Sequence, residues 1–188
     1  MLARWVTGRA VQRIVVPLTA ISPFLPAAVI ASEDARFCQH HGVDWDALSD
    51  VVDDMGDGGP ARGASTITMQ TAKNVFLWSS RSYIRKAIEI PLALYLDLVW
   101  GKRRTMEIYL NVAEWGQGIF GAEAAARHHF GKSARDLTRR EAALLATTLP
   151  NPILRDPARR LNGQRIHAAK VLGRMTGTPG CLAGRNAA

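Results

Sequence analysis

The sequence predicts an all-α domain, on three observations. Apolar residues recur at three- and four-residue spacing in segment after segment, Gly, Pro, Asn and Asp cluster between those segments, and no alternating strand of convincing length occurs after residue 30. The 188 residues suffice for one domain with a real core, and 47% hydrophobic and 21% charged residues exclude a disordered or fibrous chain. With 24 Lys and Arg against 16 Asp and Glu the net charge is +8, which fits an anionic partner: nucleic acid, anionic lipid or a phosphate-bearing substrate.

Residues 1–21 read as a lead-in strand or extended arm, with Pro23 and Pro26 punctuating the chain before the first helix. Ile30, Asp34 and Phe37 fall at helical spacing, so a helix is expected from Ala27 to near His40, ahead of Gly42. Asp44 is placed to cap a second helix through Trp45, Leu48, Val51 and Val52, which ends in a mobile loop at Met55 to Pro60. A third opens at Ser65 as N-cap, leaving the N–H groups of Gly63 to Ser65 free for an anion, and carries Ile67, Thr71 and Val75 on one face.

After a break at 77–82, Ser82 is placed to cap a helix with Ile84, Ile88, Leu92 and Leu96 every four residues, extended by Tyr95 and Val99. Pro91 inside it predicts a kink. Lys102 to Leu110 continues as another helix, followed by a Gly-rich stretch from Glu114 to Gly121 and an alanine-rich helix from Ala122 to Phe130, stopped by Gly131. Ser133 with Asp136 and Thr138 with Glu141 give two capping-box signals, the second opening a buried helix that ends at Pro150. Ile166 to Met175 forms the last helix, the domain spans 22–175, and 176–188 read as a frayed tail.

Cys38 and Cys181 lie far apart and form no metal-binding spacing. Nothing resembles a disulfide framework, so two free or buried thiols are expected, with one bridge as the alternative in an oxidising compartment. No stretch supplies the ~20 apolar residues of a membrane-spanning helix. The best N-terminal run, Ile14 to Ile21, contains Pro17 and lacks the layout of a signal peptide.

Chemistry concentrates in four places. In Glu33-Asp34-Ala35-Arg36-Phe37-Cys38-Gln39-His40-His41-Gly42, a helical reading puts Glu33 and Phe37 on one face, and a carboxylate beside apolar residues is driven towards the pKa of a general base. A solvated acidic helix end is the plainer reading of that spacing alone. Glu89 follows Arg85 and Lys86 at i,i+4 and i,i+3, with Arg81 one turn earlier, so basic neighbours keep it ionised; a surface salt-bridge ladder is the plainer alternative. Gln70, Lys73 and Asn74 share a helical side behind Gly63, Ser65 and Thr66, a set suited to sugar hydroxyls or phosphate oxygens but without Walker spacing. Glu107, Tyr109 and Asn111 follow the basic cluster Lys102-Arg103-Arg104. Neither His40-His41 nor His128-His129 makes a metal cage.

Together these blocks resemble the bacterial peptidoglycan glycosyltransferase family, whose members carry E-D-x-x-F-x-x-H-x-G, G-x-S-T-I-T-x-Q, R-K-x-x-E and E-x-Y-L-N in that order. They stand here at Glu33 to Gly42, Gly63 to Gln70, Arg85 to Glu89 and Glu107 to Asn111, with a further match at Glu141 to Ala146. The resemblance covers about residues 22–155 and is to the monofunctional biosynthetic type, since no room remains for a transpeptidase domain. Met69 departs from the glutamine of many members, and the membrane anchor with which members usually begin is not evident. A truncated or alternatively started form, or attachment by surface contact, is expected.

The resemblance implies a lysozyme-like helical fold and a reaction in which lipid II is polymerised through β-1,4 linkages, with inversion and release of polyprenyl diphosphate. Glu33 would be the base on the acceptor 4-hydroxyl and Glu89 would assist at the donor pyrophosphate. Arg81, Arg85 and Lys86 would neutralise the leaving group. Asp34, Phe37, His40, Gly63, Ser65, Thr66, Gln70, Lys73, Asn74, Glu107, Tyr109 and Asn111 complete the implied substrate site. A divalent cation, Mg or Mn, bridging Glu89 and pyrophosphate is implied by the family alone, and no organic cofactor is expected. The implied partners are lipid II, the growing lipid-linked strand, the membrane surface and other cell-wall synthesis and division proteins. The implied location is the periplasmic side of the bacterial inner membrane.

Two alternatives stand beside it. A lysozyme-like glycan-cleaving enzyme also uses two carboxylates, but has no need of cations around Glu89. A non-catalytic module binding a membrane surface or nucleic acid would account for the charge, although no stacking platform or known basic nucleic-acid motif is visible, so nucleic acid is not expected.

Overall fold

A computed structural model of the chain describes residues 11–56, 63–78, 83–157 and 162–183. Among these are seven α-helices and one three-stranded sheet of very short strands. The expected Ser82 cap and most of the Met55 to Pro60 loop lie outside the described residues.

The helix α1 (Phe24–Glu33) is apolar almost all round, with Leu25, Ala27, Ala28, Val29 and Ala31 buried, so it belongs in the middle of the core. It packs against α6 (Arg139–Ala146) and α7 (Asn162–Arg174). Ala142, Ala143 and Ala146 of α6 are buried there, and such small side chains let helix backbones approach closely. The capping box expected at Thr138 and Glu141 opens α6, whereas Ser133 caps only a 3₁₀ turn at Ala134–Asp136. The same core takes in Trp115, Tyr109, Phe37 and Leu110, each fully buried. Burial on that scale contributes about 1.5–3 kcal/mol for each Leu- or Phe-sized side chain.

The helix α1 ends at Glu33, not near His40. Asp34 leaves helical geometry (φ −159°, ψ 75°) because its carboxylate is drawn to the backbone N–H of Ile67 at 2.9 Å. That N–H opens α3 (Ile67–Phe76), where a carboxylate is favoured by the helix dipole. Thr66 caps α3 in place of Ser65: its hydroxyl donates to Gly42 O (2.6 Å) and accepts from Met69 N–H (3.1 Å). As expected, Asp44 caps α2 (Trp45–Gly56), accepting from Ala47 N–H at 3.1 Å.

The long helix α4 (Tyr83–Val112) keeps helical dihedrals through Pro91 and breaks instead at Gly101, whose φ of 65° and ψ of 175° suit glycine. Its first half packs against α3 around a small core of Val43, Met69 and Ala93. Only Leu96 of the expected apolar stripe is buried. After α4 the Gly-rich stretch folds as a hairpin, β2 (Glu114–Gly116) with β3 (Ile119–Phe120), strands too short to announce themselves by alternation. The lead-in arm supplies β1 (Gln12–Arg13), parallel to β3. The helix α5 (Ala122–Phe130) stops at left-handed Gly131, as expected.

The cysteines are not free thiols: Cys38 and Cys181 form a disulfide, with Cα atoms 5.6 Å apart. Residues 176–183 are therefore tied down rather than frayed, and Leu182 is buried. Among the described residues no helix is long and apolar enough to cross a membrane.

Candidate active site

Glu33, the last residue of α1, lines a cavity of ≈ 320 Å³ with Arg36, Asp44, Asp50, Gly63 and Ser65. Ser32 Oγ donates to its Oε1 (3.0 Å) and Gln70 Nε2 donates to its Oε2 (3.2 Å). Burial pushes the Glu33 carboxyl above the ordinary carboxylate range. The hydrogen bonds from Gln70 and Ser32 and the charge of Arg155 pull it back, while Asp34 adds to the rise. A raised carboxyl facing a cavity and carrying two hydrogen-bond donors is equipped to take a proton from a hydroxyl.

A cationic cluster forms on α3 and α4. Glu89 is only 3% exposed and pairs with Arg85, one turn before it, and with Lys86 Nζ at 3.3 Å. Lys86 also donates to Ser65 Oγ at 2.7 Å, a hydroxyl left available because Thr66 does the capping. Burial lowers the Lys73 and Lys86 ammonium groups, with Arg85 adding to both, and Lys73 feels an opposing pull from Glu33. Lys73 thus lies in electrostatic reach of both Glu33 and Arg85. The ladder on Glu89 is a buried one, and its positive groups outnumber the carboxylate they surround.

Among the described residues no group of three or more His, Cys, Asp and Glu could hold a metal ion. Both Glu89 oxygens face cationic side chains. This donor set does not fit a resident divalent cation.

The remaining expected site residues separate into three groups. Gly63 and Asn74 are exposed, and Ser65 and Lys73 are half-buried, so all four are open to a ligand. Asp34, Phe37, His40, Thr66, Tyr109 and Asn111 hold the frame. His40 Nε2 is 2.9 Å from Asp34 Oδ1, and Phe37 is wholly buried edge-on to the His40 ring. Glu107 Oε2 accepts from Leu18 N–H (2.8 Å), while Asn111 accepts from Val16 N–H (3.0 Å) and donates to Val16 O (2.9 Å). The E-x-Y-L-N block therefore clamps the lead-in arm. Arg81 lies outside the described residues.

Arg155 and the Arg36–Asp44 pair belong to the site but escaped the sequence reading. Arg36 Nε donates to Asp44 Oδ2 at 2.9 Å, which holds the Asp44 carboxyl below its ordinary range. Arg155, held by Thr147 O at 3.1 Å, follows the E-A-A-L-L-A block by a few residues, and that proximity was the available signal.

A helical domain with a raised carboxyl facing a cavity and a half-buried cationic cluster on neighbouring helices fits a class of anion-handling sugar enzymes. The transglycosylase family model matches residues 1–176. A biosynthetic peptidoglycan transglycosylase of Brucella suis biovar 1 (strain 1330) is 58% identical over 166 residues, covering 88% of this chain and 74% of the relative. Proteins of the same name are 55% identical in Rhodopseudomonas palustris (strain TIE-1), covering 93% of this chain and 74% of theirs, and in Rhizobium meliloti (strain 1021), covering 97% and 78%. The chain belongs to the transglycosylase family, and the lysozyme-like helical fold expected from its motifs is the fold it has.

Proposed function

We propose that this chain polymerises lipid II into glycan strands, with Glu33 as the base and the Lys73, Arg85 and Lys86 cluster receiving the pyrophosphate. It is a glycosyltransferase of peptidoglycan synthesis. Glu33 removes the proton of the acceptor 4-hydroxyl as that oxygen attacks the donor's anomeric carbon. The bond from that carbon to the pyrophosphate oxygen breaks on the opposite face, inverting the centre. Negative charge then grows on the pyrophosphate, where ammonium and guanidinium groups already in place stabilise it without rearrangement. Glu89 holds Arg85 and Lys86 in position from beneath. Gly63, Ser65 and Asn74 supply polar contacts to sugar and phosphate oxygens.

The observation that carries this reading is the pairing of a raised Glu33 carboxyl with half-buried cations that outnumber the buried Glu89. Cleavage of a neutral glycosidic bond needs the first and not the second. In a lipid II polymerisation assay, Glu33→Gln is expected to lower turnover by about 10²- to 10⁴-fold. Retention of full activity would remove Glu33 from the base role, and release of soluble fragments from preformed peptidoglycan would favour cleavage.

The lipid substrate requires a bilayer, and the apolar side chains at the end of α3 and along the first half of α4 supply a surface for one. Leu98 is 84%, Ile84 71% and Tyr95 60% exposed, with Phe76 and Trp78 exposed nearby. Aromatic and aliphatic groups of this kind seat in the headgroup region, and the net charge of +8 favours anionic lipid.

A further inference from the structure

We infer that Tyr109 is a positioning residue for the base: its phenol fixes the Gln70 amide so that nitrogen, not oxygen, faces Glu33. The inference deepens the proposed role of Glu33 and rests on it. Tyr109 lies on the second half of α4 and is wholly buried. Its hydroxyl donates to Gln70 Oε1 at 3.1 Å, and Gln70 Nε2 donates onward to Glu33 Oε2 at 3.2 Å. The three side chains form one directed line from α4 through α3 to the end of α1.

The direction of the line follows from what each group can do. An ionised carboxylate only accepts, so the amide end facing Glu33 must be the NH₂. The carbonyl end then points into the interior, where an acceptor without a donor is costly. Tyr109 supplies that donor. Burial, reinforced by Glu33 and Asp34, holds the phenol well above its ordinary range, so it stays a donor throughout the working pH. Gln70 Nε2 also reaches Ser65 O, at a longer 3.5 Å, so without Tyr109 only that weak tie and Glu33 itself oppose a turn that presents oxygen to Glu33 and disfavours the ionised base.

The charged and titratable groups that act on Glu33 come from every side. Asp34 is its chain neighbour, Lys73 comes from α3, Tyr109 from α4 and Arg155 from beyond α6. Asp34 raises the carboxyl while Arg155 lowers it, and the Gln70 bond is the first of the influences that oppose burial. Weakening that bond therefore moves Glu33 upward. Because the base must be ionised to work, the acid limb of the rate profile moves to higher pH.

The test compares the full chain with Tyr109→Phe, which keeps the ring and its packing. The acid limb of kcat/KM for lipid II is expected to shift upward by about half a unit to one unit. Gln70→Met is expected to shift it the same way, and Tyr109→Phe added to Gln70→Met to shift it no further, since Tyr109 acts through Gln70. Carbon-13 titration of the Glu33 carboxyl by NMR reads the same change without turnover. A uniform loss of rate at all pH values with an unmoved Glu33 titration, or additive shifts in the double variant, would overturn the inference. A titration that moves while the acid limb stays fixed would support the positioning and remove Glu33 from the base role.

Discussion

The two parts of the molecule bury their apolar residues on different terms. Around α1, α6 and α7 the apolar side chains face one another in a continuous core that reaches from Leu18 to Leu182. Around α3 and the first half of α4 the enclosed core is Val43, Met69 and Ala93, with Ile90 packed against it, while Ile84, Tyr95 and Leu98 face outward. Both parts carry groups of the candidate site, Glu33 at the edge of the first and the cations on the second. The first part is built to be stable in water alone. The second leaves apolar area uncovered, which costs stability in water and is recovered only against another apolar phase.

Three measurements break or sharpen this contrast. The largest effect is expected from the disulfide, which links residues 143 apart and ties the loop after Glu33 to the C-terminal segment. Replacing Cys38 and Cys181 by Ser is expected to lower unfolding stability by about 4–5 kcal/mol in the loop-entropy picture, measured by denaturant titration. A loss confined to the α3 and α4 amides in hydrogen exchange would contradict the assignment of the bond to the larger core.

Gly42→Ala comes next. Gly42 has φ of 78°, and a Cβ there would sit 2.5 Å from Ala93 O on α4, so both the dihedral and the neighbouring backbone resist it. A cost of at least about 2 kcal/mol is expected, with protection lost first in α3 and the first half of α4. Equal loss across α1 and α6 would show that the two parts unfold as one.

The smallest change in stability is expected from Leu98→Asp, within about 0.5 kcal/mol, because the side chain is already in solvent. Cosedimentation with vesicles containing anionic phospholipid should nevertheless fall clearly. Unchanged vesicle binding would remove this face from the membrane contact.

The sequence shows chemistry more readily than it shows contacts. Glu33, Gln70, Lys73 and the Arg85 to Glu89 ladder could be read as a site because their residue types and spacing carry the chemistry directly. Phe37, Tyr109 and Asn111 stand in the same motifs, yet the fold uses them as interior supports, since a motif does not record which neighbour a side chain meets. The end of α1 was misplaced for a similar reason. Good helix formers continue past Glu33, and what stops them is a hydrogen bond from Ile67 N–H to Asp34, 33 residues away. Ser65 and Thr66 are both competent caps, and the choice falls to Thr66 because Gly42 O lies within reach of its hydroxyl. The disulfide was invisible because nothing in either cysteine's neighbourhood points to the other. Pro91 was expected to bend α4, but helical geometry runs through it and gives way at Gly101.

The Cys38–Cys181 bond also bears on how the chain matures. The two cysteines within this sequence admit one internal pairing. Cys181 lies 143 residues after Cys38, so the bond can close only after the helices between them have been synthesised. Closure therefore follows synthesis of every helix between the two cysteines, and an unpaired Cys38 thiol is a chemical marker of chains that have not made this bond.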